Sequence, residues 1–208
     1  MNQSEETWLP TRQTLLSRLK NWEDQASWLE FFNLYWRLIH GVARQAGLSE
    51  AEAQDVVQET IITVARQMPR FRYDKAKGSF KSWLRKTAHW RIQDQVRRRN
   101  RNQHLTADTS GDDSDAVAPQ AAIDNGAFDA LWDAEWKQNL IAVAVDRVKK
   151  QVTPREFQVF DLRTNKEWPA ARVARALHLF RPQVYYLNKK VTRLIEQEAT
   201  RLNHETRV

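Results

Sequence analysis

The sequence predicts an all-α fold in which two small helical domains are joined by a flexible acidic linker. Several segments repeat apolar side chains at intervals of three and four residues, the period of an amphipathic helix. The 208 residues include only five glycines and six prolines. Because tight β-hairpins use glycine heavily, this composition disfavours an all-β fold. We place the two domains at residues 1–104 and 137–208, with the linker at 105–136.

Three helices are predicted in the first domain. The first ends before Gly47 and carries a dense, mainly aromatic face made of Trp28, Phe31, Phe32, Tyr35, Trp36 and Ile39. Ser49 and Glu52 form a capping-box pattern that opens the second helix, and Pro69 ends that helix. The third helix has an apolar side chain at every fourth position, at Phe80, Leu84, Ala88, Ile92 and Val96. Three helices with this apolar content can close one small core.

The segment between the domains is small, polar and anionic. Residues 105–136 carry eight acidic and no basic side chains. Residues 106–115 show no apolar periodicity, and Pro119 follows them. Such a composition buries too little apolar surface to offset the entropy of the chain. We therefore expect this linker to be disordered or extended.

The second domain contains another capping box, formed by Thr153 and Glu156 with Pro154 at the first helical position. A short helix is predicted from about Pro169, and a long helix with Pro182 near its start follows a turn. The packing stripe of the long helix consists of Val184, Leu187, Val191, Leu194 and Ile195. This order is typical of a helix-turn-helix motif, although an ordinary helical hairpin with a solvated basic face has the same pattern.

Basic side chains are concentrated in two blocks. Residues 60–104 carry 13 basic and two acidic side chains, and residues 137–208 carry 15 basic and seven acidic ones. Basic blocks of this density indicate a polyanionic partner, because binding to nucleic acid releases counterions. The alternative is a solvated surface that keeps the protein soluble.

Aromatic and cationic side chains alternate between Phe71 and Arg91. Aromatic rings stack on unpaired bases while cations follow the phosphates, so this combination favours binding to a single or separating strand. The predicted members of this site are Arg70, Arg72, Tyr73, Lys75, Lys77, Lys81, Arg85, Lys86, Trp90 and Arg91. For Phe80 and Trp83 we favour core packing over base contact, whereas Tyr73 and Trp90 fit either role.

The start of the long helix in the second domain is predicted to enter the major groove of duplex DNA. Arg181 and Gln183 are suited to base edges, and Lys189 and Lys190 are suited to phosphates. The predicted members of this site are Arg181, Pro182, Gln183, Tyr185, Tyr186, Lys189 and Lys190.

The sequence offers little to support catalysis, a metal or a cofactor. It has no cysteine, its five histidines lack metal-ligand spacing, and no glycine-rich phosphate loop occurs. His178, Arg181 and Tyr185 are similar to part of a tyrosine recombinase site, but there the tyrosine lies tens of residues beyond the His-x-x-Arg pair. Apolar runs such as residues 140–145 are too short to span a bilayer. We expect a soluble cytoplasmic protein that is not an enzyme, binds no cofactor and does not insert into a membrane.

Together these motifs resemble the sigma factors of bacterial RNA polymerase, specifically the small extracytoplasmic-function (ECF) subfamily with only regions 2 and 4. Residues 55–65 are similar to the family's Asp-x-x-Gln-Glu motif, and residues 78–88 to its Ser-Phe-x-x-Trp-Leu segment. Residues 153–157 and 177–185 are similar to region 4. Two features depart from the pattern of region 4: His178 stands in the turn where glycine is usual, and residues 168–172 replace an acidic stretch.

The resemblance implies a function in the initiation of transcription. The residues that would dock on the clamp helices of the largest polymerase subunit are Glu52, Asp55, Gln58 and Glu59. Residues 71–91 would melt the minus-ten promoter element and hold a flipped base, and residues 181–190 would read the minus-thirty-five element. The implied partners are promoter DNA and core RNA polymerase, including the flap of its second-largest subunit, and an anti-sigma factor is compatible with them. The alternative is a helix-turn-helix regulator that binds DNA as a dimer without docking on polymerase.

Overall fold

The computed structural model describes residues 12–71, 79–107 and 124–207, and within these ranges every long regular element is helical. The helices are α1 (Arg12–Arg18), α2 (Gln25–Gln45), α3 (Glu50–Gln67), α4 (Phe80–Ala107), α5 (Asn125–Gln151), α6 (Pro154–Phe160), α7 (Ala170–Ala176) and α8 (Arg181–Arg207). The chain divides into two units, one comprising Met1–Trp136 with Thr206–Val208 and the other Lys137–Glu205. The prediction of an all-α fold with two domains is confirmed.

The helices of the first unit begin and end where the local chemistry requires. Asp24 caps α2, because its carboxylate accepts the backbone N–H of Ser27 at 3.0 Å. Beyond α2, Gly47 has a φ of 84°, a left-handed conformation that glycine adopts without steric cost. The predicted capping box of α3 is present in full: the backbone N–H of Ser49 donates to Glu52, and that of Glu52 donates to the Ser49 hydroxyl.

The core of the first unit is aromatic as well as aliphatic. Phe31 and Tyr35 of α2 contact Phe80 of α4, with ring centroids 6.1 and 5.8 Å apart. The apolar stripe predicted for α4 is fully buried, at Phe80, Leu84, Ala88, Ile92 and Val96. The aromatic face of α2 is only partly a core face, because Phe32 is 39% exposed.

The linker expected over residues 105–136 differs from the structure at both of its ends. Helix α4 continues to Ala107, and α5 begins at Asn125, so the disorder expected for residues 125–136 is wrong. The reason is that Phe128, Trp132 and Trp136 recur every fourth residue and are buried in the first unit. Aromatic burial of this size outweighs the helix-disfavouring polar residues around it. Residues 108–123 lie outside the described part of the chain.

The second unit is built around α6, α7 and α8. Its core contains Val159 of α6, Val173 of α7 and Val184 of α8, and partly buried residues such as Trp168 and Leu187 pack against it. The capping box predicted at Thr153 and Glu156 is present. Val184, Val191 and Ile195 of the predicted packing stripe are buried. A π-helical turn over Asp161–Asn165, which the sequence did not predict, joins α6 to the segment before α7.

Candidate nucleic-acid interface

Helix α3 presents an acidic, solvent-facing surface that includes three of the four residues predicted to dock on polymerase. Asp55 and Gln58 are exposed, and Glu59 is half-buried. Their spacing of three and four residues places them on one side of the helix. Glu59 also pairs with Arg91 of α4, whose Nη1 lies 3.1 Å from Glu59 Oε2. Asp55 and Gln58 therefore present the more accessible polar groups of this surface.

The fourth residue, Glu52, has an internal role. Arg99 of α4 forms two hydrogen bonds with its carboxylate, from Nε to Oε1 at 2.9 Å and from Nη2 to Oε2 at 2.8 Å. Burial alone would raise the pKa of Glu52, but hydrogen bonds from Ser49 and Arg99 outweigh it, so the pKa lies below its usual value. Because this bidentate pair joins α3 to α4, Glu52 holds the acidic surface in place.

A largely apolar groove between α2 and α3 adjoins this surface. It has a volume of about 690 Å³, and its apolar lining comes from Phe32, Trp36, Val57, Ile61 and Ile62. Phe32 and Trp36 lie nearly parallel, with ring centroids 6.2 Å apart. Gln58 borders the groove as well, so the groove and the acidic surface are continuous. Sequence reasoning missed the groove because the aromatic residues of α2 were all assigned to one face, although Phe32 and Trp36 are four residues apart on a side of their own.

Helix α4 carries the cations predicted to follow a DNA strand, and the structure divides them into two groups. Lys81 and Arg85 are partly buried and pair with carboxylates of α5: Lys81 Nζ lies 2.7 Å from Asp133 Oδ1, and Arg85 Nη1 lies 2.9 Å from Asp129 Oδ1. Lys86, one residue beyond Arg85, is exposed. The cations of α4 thus do not form one continuous open surface.

Trp90 and Arg91 occupy another part of α4. Trp90 is 53% exposed, and the guanidinium carbon of Arg91 lies 4.6 Å from its ring centroid. Arg91 is mostly buried and donates to the Thr63 hydroxyl from Nε and Nη2, at 3.1 and 2.6 Å. It therefore orients the indole of Trp90 more than it presents a free charge.

The remaining residues predicted for the strand-binding site lie before α4. Arg70 is exposed in the 3₁₀ turn that follows α3. Phe71 packs against Trp83 and Phe80, with ring centroids 4.9 and 6.0 Å apart. Arg72, Tyr73, Lys75 and Lys77 lie outside the described residues.

In the second unit, the predicted duplex-reading residues cluster at the start of α8. Arg181, Pro182 and Gln183 are exposed, and Tyr185 and Tyr186 are 59% and 68% exposed. The Gln183 side chain accepts the backbone N–H of Phe180 at 3.0 Å, so it also caps α8. The guanidinium of Arg163 lies 5.8 Å from the Tyr185 ring centroid. Phe180, which the prediction did not include, is 76% exposed beside these residues.

The turn between α7 and α8 is held by Arg155 of α6. Its Nη2 donates to the carbonyl oxygen of Leu177 at 2.7 Å. His178 has a φ of 52°, a left-handed conformation in which an L side chain crowds the backbone. Arg155 thus stabilises the turn at the position where glycine would otherwise relieve strain.

Lys189 and Lys190 follow on α8 and differ in their contacts. Lys189 is exposed, whereas Lys190 Nζ donates to Glu156 Oε1 at 2.6 Å. Hydrogen bonds from Lys190 and from the Thr153 backbone lower the pKa of Glu156 to about 2. One of the two lysines is thus held against α6, and the other faces solvent.

Among the described residues, no group of His, Asp or Glu side chains has the geometry to hold a metal ion. In the same ranges, no helix is both long enough and apolar enough to cross a lipid bilayer.

Comparison with known proteins assigns part of the first unit. Residues 31–102 match the family model for sigma-70 region 2. The matched segment begins in α2 and ends in α4, so it contains the acidic surface of α3 and the cations of α4. No curated protein matches the chain. Residues 31–102 are therefore similar to sigma-70 region 2, and this match supports a member of the sigma-70 family.

Proposed function

We propose that the chain is a sigma factor of the ECF subfamily that binds core RNA polymerase and directs initiation at a subset of promoters. The observation that carries the proposal is the coincidence of three features within residues 31–102. The family match, the acidic surface of α3 and the aromatic, cationic part of α4 all fall in this segment. We expect the protein to act in the cytoplasm, where polymerase is found, without catalysis of its own.

Docking on polymerase is assigned to α2 and α3. Asp55 and Glu59 supply negative charge for the basic clamp helices of the largest subunit, and Gln58 adds a neutral polar side chain beside them. The adjoining groove with Phe32 and Trp36 supplies apolar area, which a docked helix could bury. Charge complementarity accelerates and orients such an encounter, while the apolar groove extends its lifetime. Glu52 contributes by fixing α3 on α4.

Promoter contact is divided between the two units. In the first, we assign the exposed Trp90 to stacking on an unpaired base of the minus-ten element, and the exposed Arg70 and Lys86 to phosphates. Arg72, Tyr73, Lys75 and Lys77 remain predicted members of this site. In the second, α7, the turn and α8 act as the helix-turn-helix that reads the minus-thirty-five element. The flap of the second-largest subunit and an anti-sigma factor stay predicted partners.

Run-off transcription with purified core polymerase tests the proposal. Added to core enzyme, the chain should produce discrete transcripts from a minority of promoter fragments in a genomic library from the source organism. Core enzyme alone is the control for unspecific initiation. Absence of discrete transcripts, together with dimeric binding to paired half-sites without polymerase, would overturn the proposal in favour of a regulator.

A further inference from the structure

The first half of α5 is an acidic and aromatic segment that follows one side of α4. Asp133 pairs with Lys81 and, one turn further along both helices, Asp129 pairs with Arg85. Next along α4, His89 stacks on Phe128 with ring centroids 4.0 Å apart and planes inclined by 18°. The contacts ascend α4 while they descend α5, so the two helices are antiparallel here. Residues of α5 thus contact one side of α4 over three successive turns.

These contacts have the chemistry of a bound nucleic-acid strand. A strand presents anionic groups to cations and flat rings to the π faces of side chains. Here two carboxylates pair with cations and the Phe128 ring stacks on His89, which are the kinds of group that a strand would supply. Lys81 also lies 5.0 Å from the ring centroid of Trp136, so the same ammonium group contacts an anion and a ring.

We propose that residues 125–136 act as an intramolecular mimic of a nucleic-acid strand, which occupies the side of α4 defined by Lys81, Arg85 and His89 and must leave before DNA binds there. The inference rests on the proposed function, because it takes α4 as a DNA-binding helix and keeps Lys81 and Arg85 as the DNA contacts that the sequence predicts. It adds that the chain is self-inhibited at this side of α4 until a partner or a promoter displaces α5.

Several contacts between the first half of α5 and the rest of the first unit are weak, which favours its dissociation from α4. The side chains of Asp129 and Asp133 are 49% and 60% exposed, so salt and competing anions reach both ion pairs. The indole N–H of Trp132 is buried without an acceptor among the described residues. The carboxylate of Glu135 is 8% exposed and receives a hydrogen bond from the Gln45 amide. A buried carboxylate held by an amide is less well compensated than one held by a cation.

The opposing contribution is the burial of Phe128, Trp132 and Trp136. It favours the closed state, in which residues 125–136 lie against α4, over the open state, in which they have left it. Closed and open states are therefore expected to interconvert, with the closed state populated in the free protein. A DNA strand then binds with an apparent affinity reduced by the small fraction of open molecules.

The experiment measures binding of a fluorescein-labelled single strand of about twenty nucleotides by fluorescence anisotropy, using the full chain. The double variant Asp129→Asn with Asp133→Asn keeps side-chain size and removes both mimic charges. It should bind the strand about tenfold more tightly than the unchanged chain, with a salt dependence steeper by up to about two phosphate contacts.

Two comparisons separate release of α5 from a general gain of positive charge. Glu23→Gln with Glu196→Gln removes two exposed carboxylates that lie outside residues 125–136, and it should leave the affinity nearly unchanged. Gly41→Leu changes no charge, but a side chain at Gly41 would displace the Glu135 carboxylate from the Gln45 amide and so weaken the attachment of α5. It should raise the affinity in the same direction as the Asn variant. A rise in the Glu23 and Glu196 control equal to that of the Asn variant would overturn the mimic.

Adding Lys81→Ala and Arg85→Ala to the Asn variant should abolish its gain. If instead the Asn and Gly41 variants bind no more tightly than the unchanged chain, while Lys81→Ala weakens binding, the mimic is refuted and the proposed function stands. If Lys81→Ala and Arg85→Ala have no effect in any background, the DNA-binding role of this side of α4 fails, and the mimic fails with it.

Discussion

Lys190 Nζ lies 2.6 Å from Glu156 Oε1, and this ion pair joins the first turn of α6 to the middle of α8. Glu156 also receives the backbone N–H of Thr153 at 2.9 Å as the return arm of the capping box. One carboxylate thus caps one helix and holds the basic helix against it. Both contacts are strongest in the ionised form, because a protonated carboxyl group is a poorer acceptor and carries no charge.

The pH dependence of stability follows from Glu156. Its pKa falls from 4.5 to about 2 on folding, so its stabilising effect is complete above pH 4.5 and is lost as the pH falls through 2. Glu156→Gln should lower the melting temperature at pH 7 by roughly 2–4 °C, because the amide oxygen can still accept the Thr153 N–H but the ion pair with Lys190 is lost. The difference from the unchanged chain should shrink steadily below pH 4.5. Thermal unfolding followed by circular dichroism at several pH values measures it.

The exposed Glu196 of α8 is the matched control for this titration. Glu196→Gln should leave the melting temperature within about 1 °C of the unchanged chain at every pH, as surface substitutions do. A Glu156→Gln curve that runs parallel to the unchanged one down to pH 2 would contradict the assigned role.

The adjacent lysines of α8 should behave differently on substitution. Lys189→Ala is expected to weaken binding to minus-thirty-five duplex and to lower the salt slope by about one, with no change in melting temperature. Lys190→Ala should weaken binding similarly and also lower the melting temperature, because it releases Glu156. Anisotropy titrations over a range of salt concentrations, paired with thermal unfolding, distinguish the two. Identical melting temperatures for both variants would argue against the Lys190 contact.

Polymerase docking should depend on Asp55 more cleanly than on its neighbours. Asp55 is exposed, so Asp55→Arg should change the free energy of unfolding by no more than about 0.5 kcal/mol. Reversal of its charge should weaken binding to core polymerase at least about tenfold, as like charges do across an interface. Surface plasmon resonance on immobilised core enzyme gives the affinity, and Glu23→Arg is the control for net charge. Equal losses in the two variants would remove the docking role of α3.

The turn before α8 offers a test of backbone strain. His178 has a φ of 52°, and the left-handed region costs an L residue roughly 1–2 kcal/mol. Glycine avoids this cost but loses about 0.5–1 kcal/mol of chain entropy on folding. His178→Gly should therefore stabilise the protein by about 0.5–1 kcal/mol, measured by urea unfolding. His178→Val, with a branched side chain at the same position, should destabilise it, and a stabilised valine variant would contradict the strain.

Local signals predicted most of the helices. The capping boxes at Ser49 and Thr153 and the four-residue repeat beginning at Phe80 each lie within one or two turns, where sequence spacing and structure are directly related. The start of α5 was missed because Asp129 and Asp133 made its composition resemble a linker. The signal that could have predicted it is the four-residue spacing of the aromatic residues Phe128, Trp132 and Trp136.

The candidate site was less predictable because its contacts are non-local. The sequence predicted Glu52 on α3, where it lies. Its partner Arg99 is 47 residues away in the sequence, so the ion pair could not be predicted. Lys81 has the charge and length of a side chain that contacts phosphates. In the structure it pairs with Asp133, which lies 52 residues away in the sequence. Charge patterns show which residues carry charge, whereas only the packing of α3, α4 and α5 determines which charges meet.

The two tryptophans of α4 provide a matched pair for the strand-separating role. Trp83 packs against Phe71 and Phe80, whereas Trp90 is 53% exposed beside Arg91. Trp83→Ala should cost about 2–4 kcal/mol of unfolding free energy, because it removes a partly buried ring. Trp90→Ala should cost less than about 1 kcal/mol, as substitution of an exposed side chain does.

Promoter opening should depend more on Trp90 than on Trp83, when only the folded fraction of each variant is compared. Each stacked base contributes about 1–3 kcal/mol, so Trp90→Ala should reduce opening by roughly tenfold or more. Permanganate reactivity of unpaired thymines around the minus-ten element, with saturating core polymerase, measures opening directly. Duplex binding by α8 should be unchanged in the same variant. Full permanganate reactivity with Trp90→Ala would show that strand separation does not need the exposed indole.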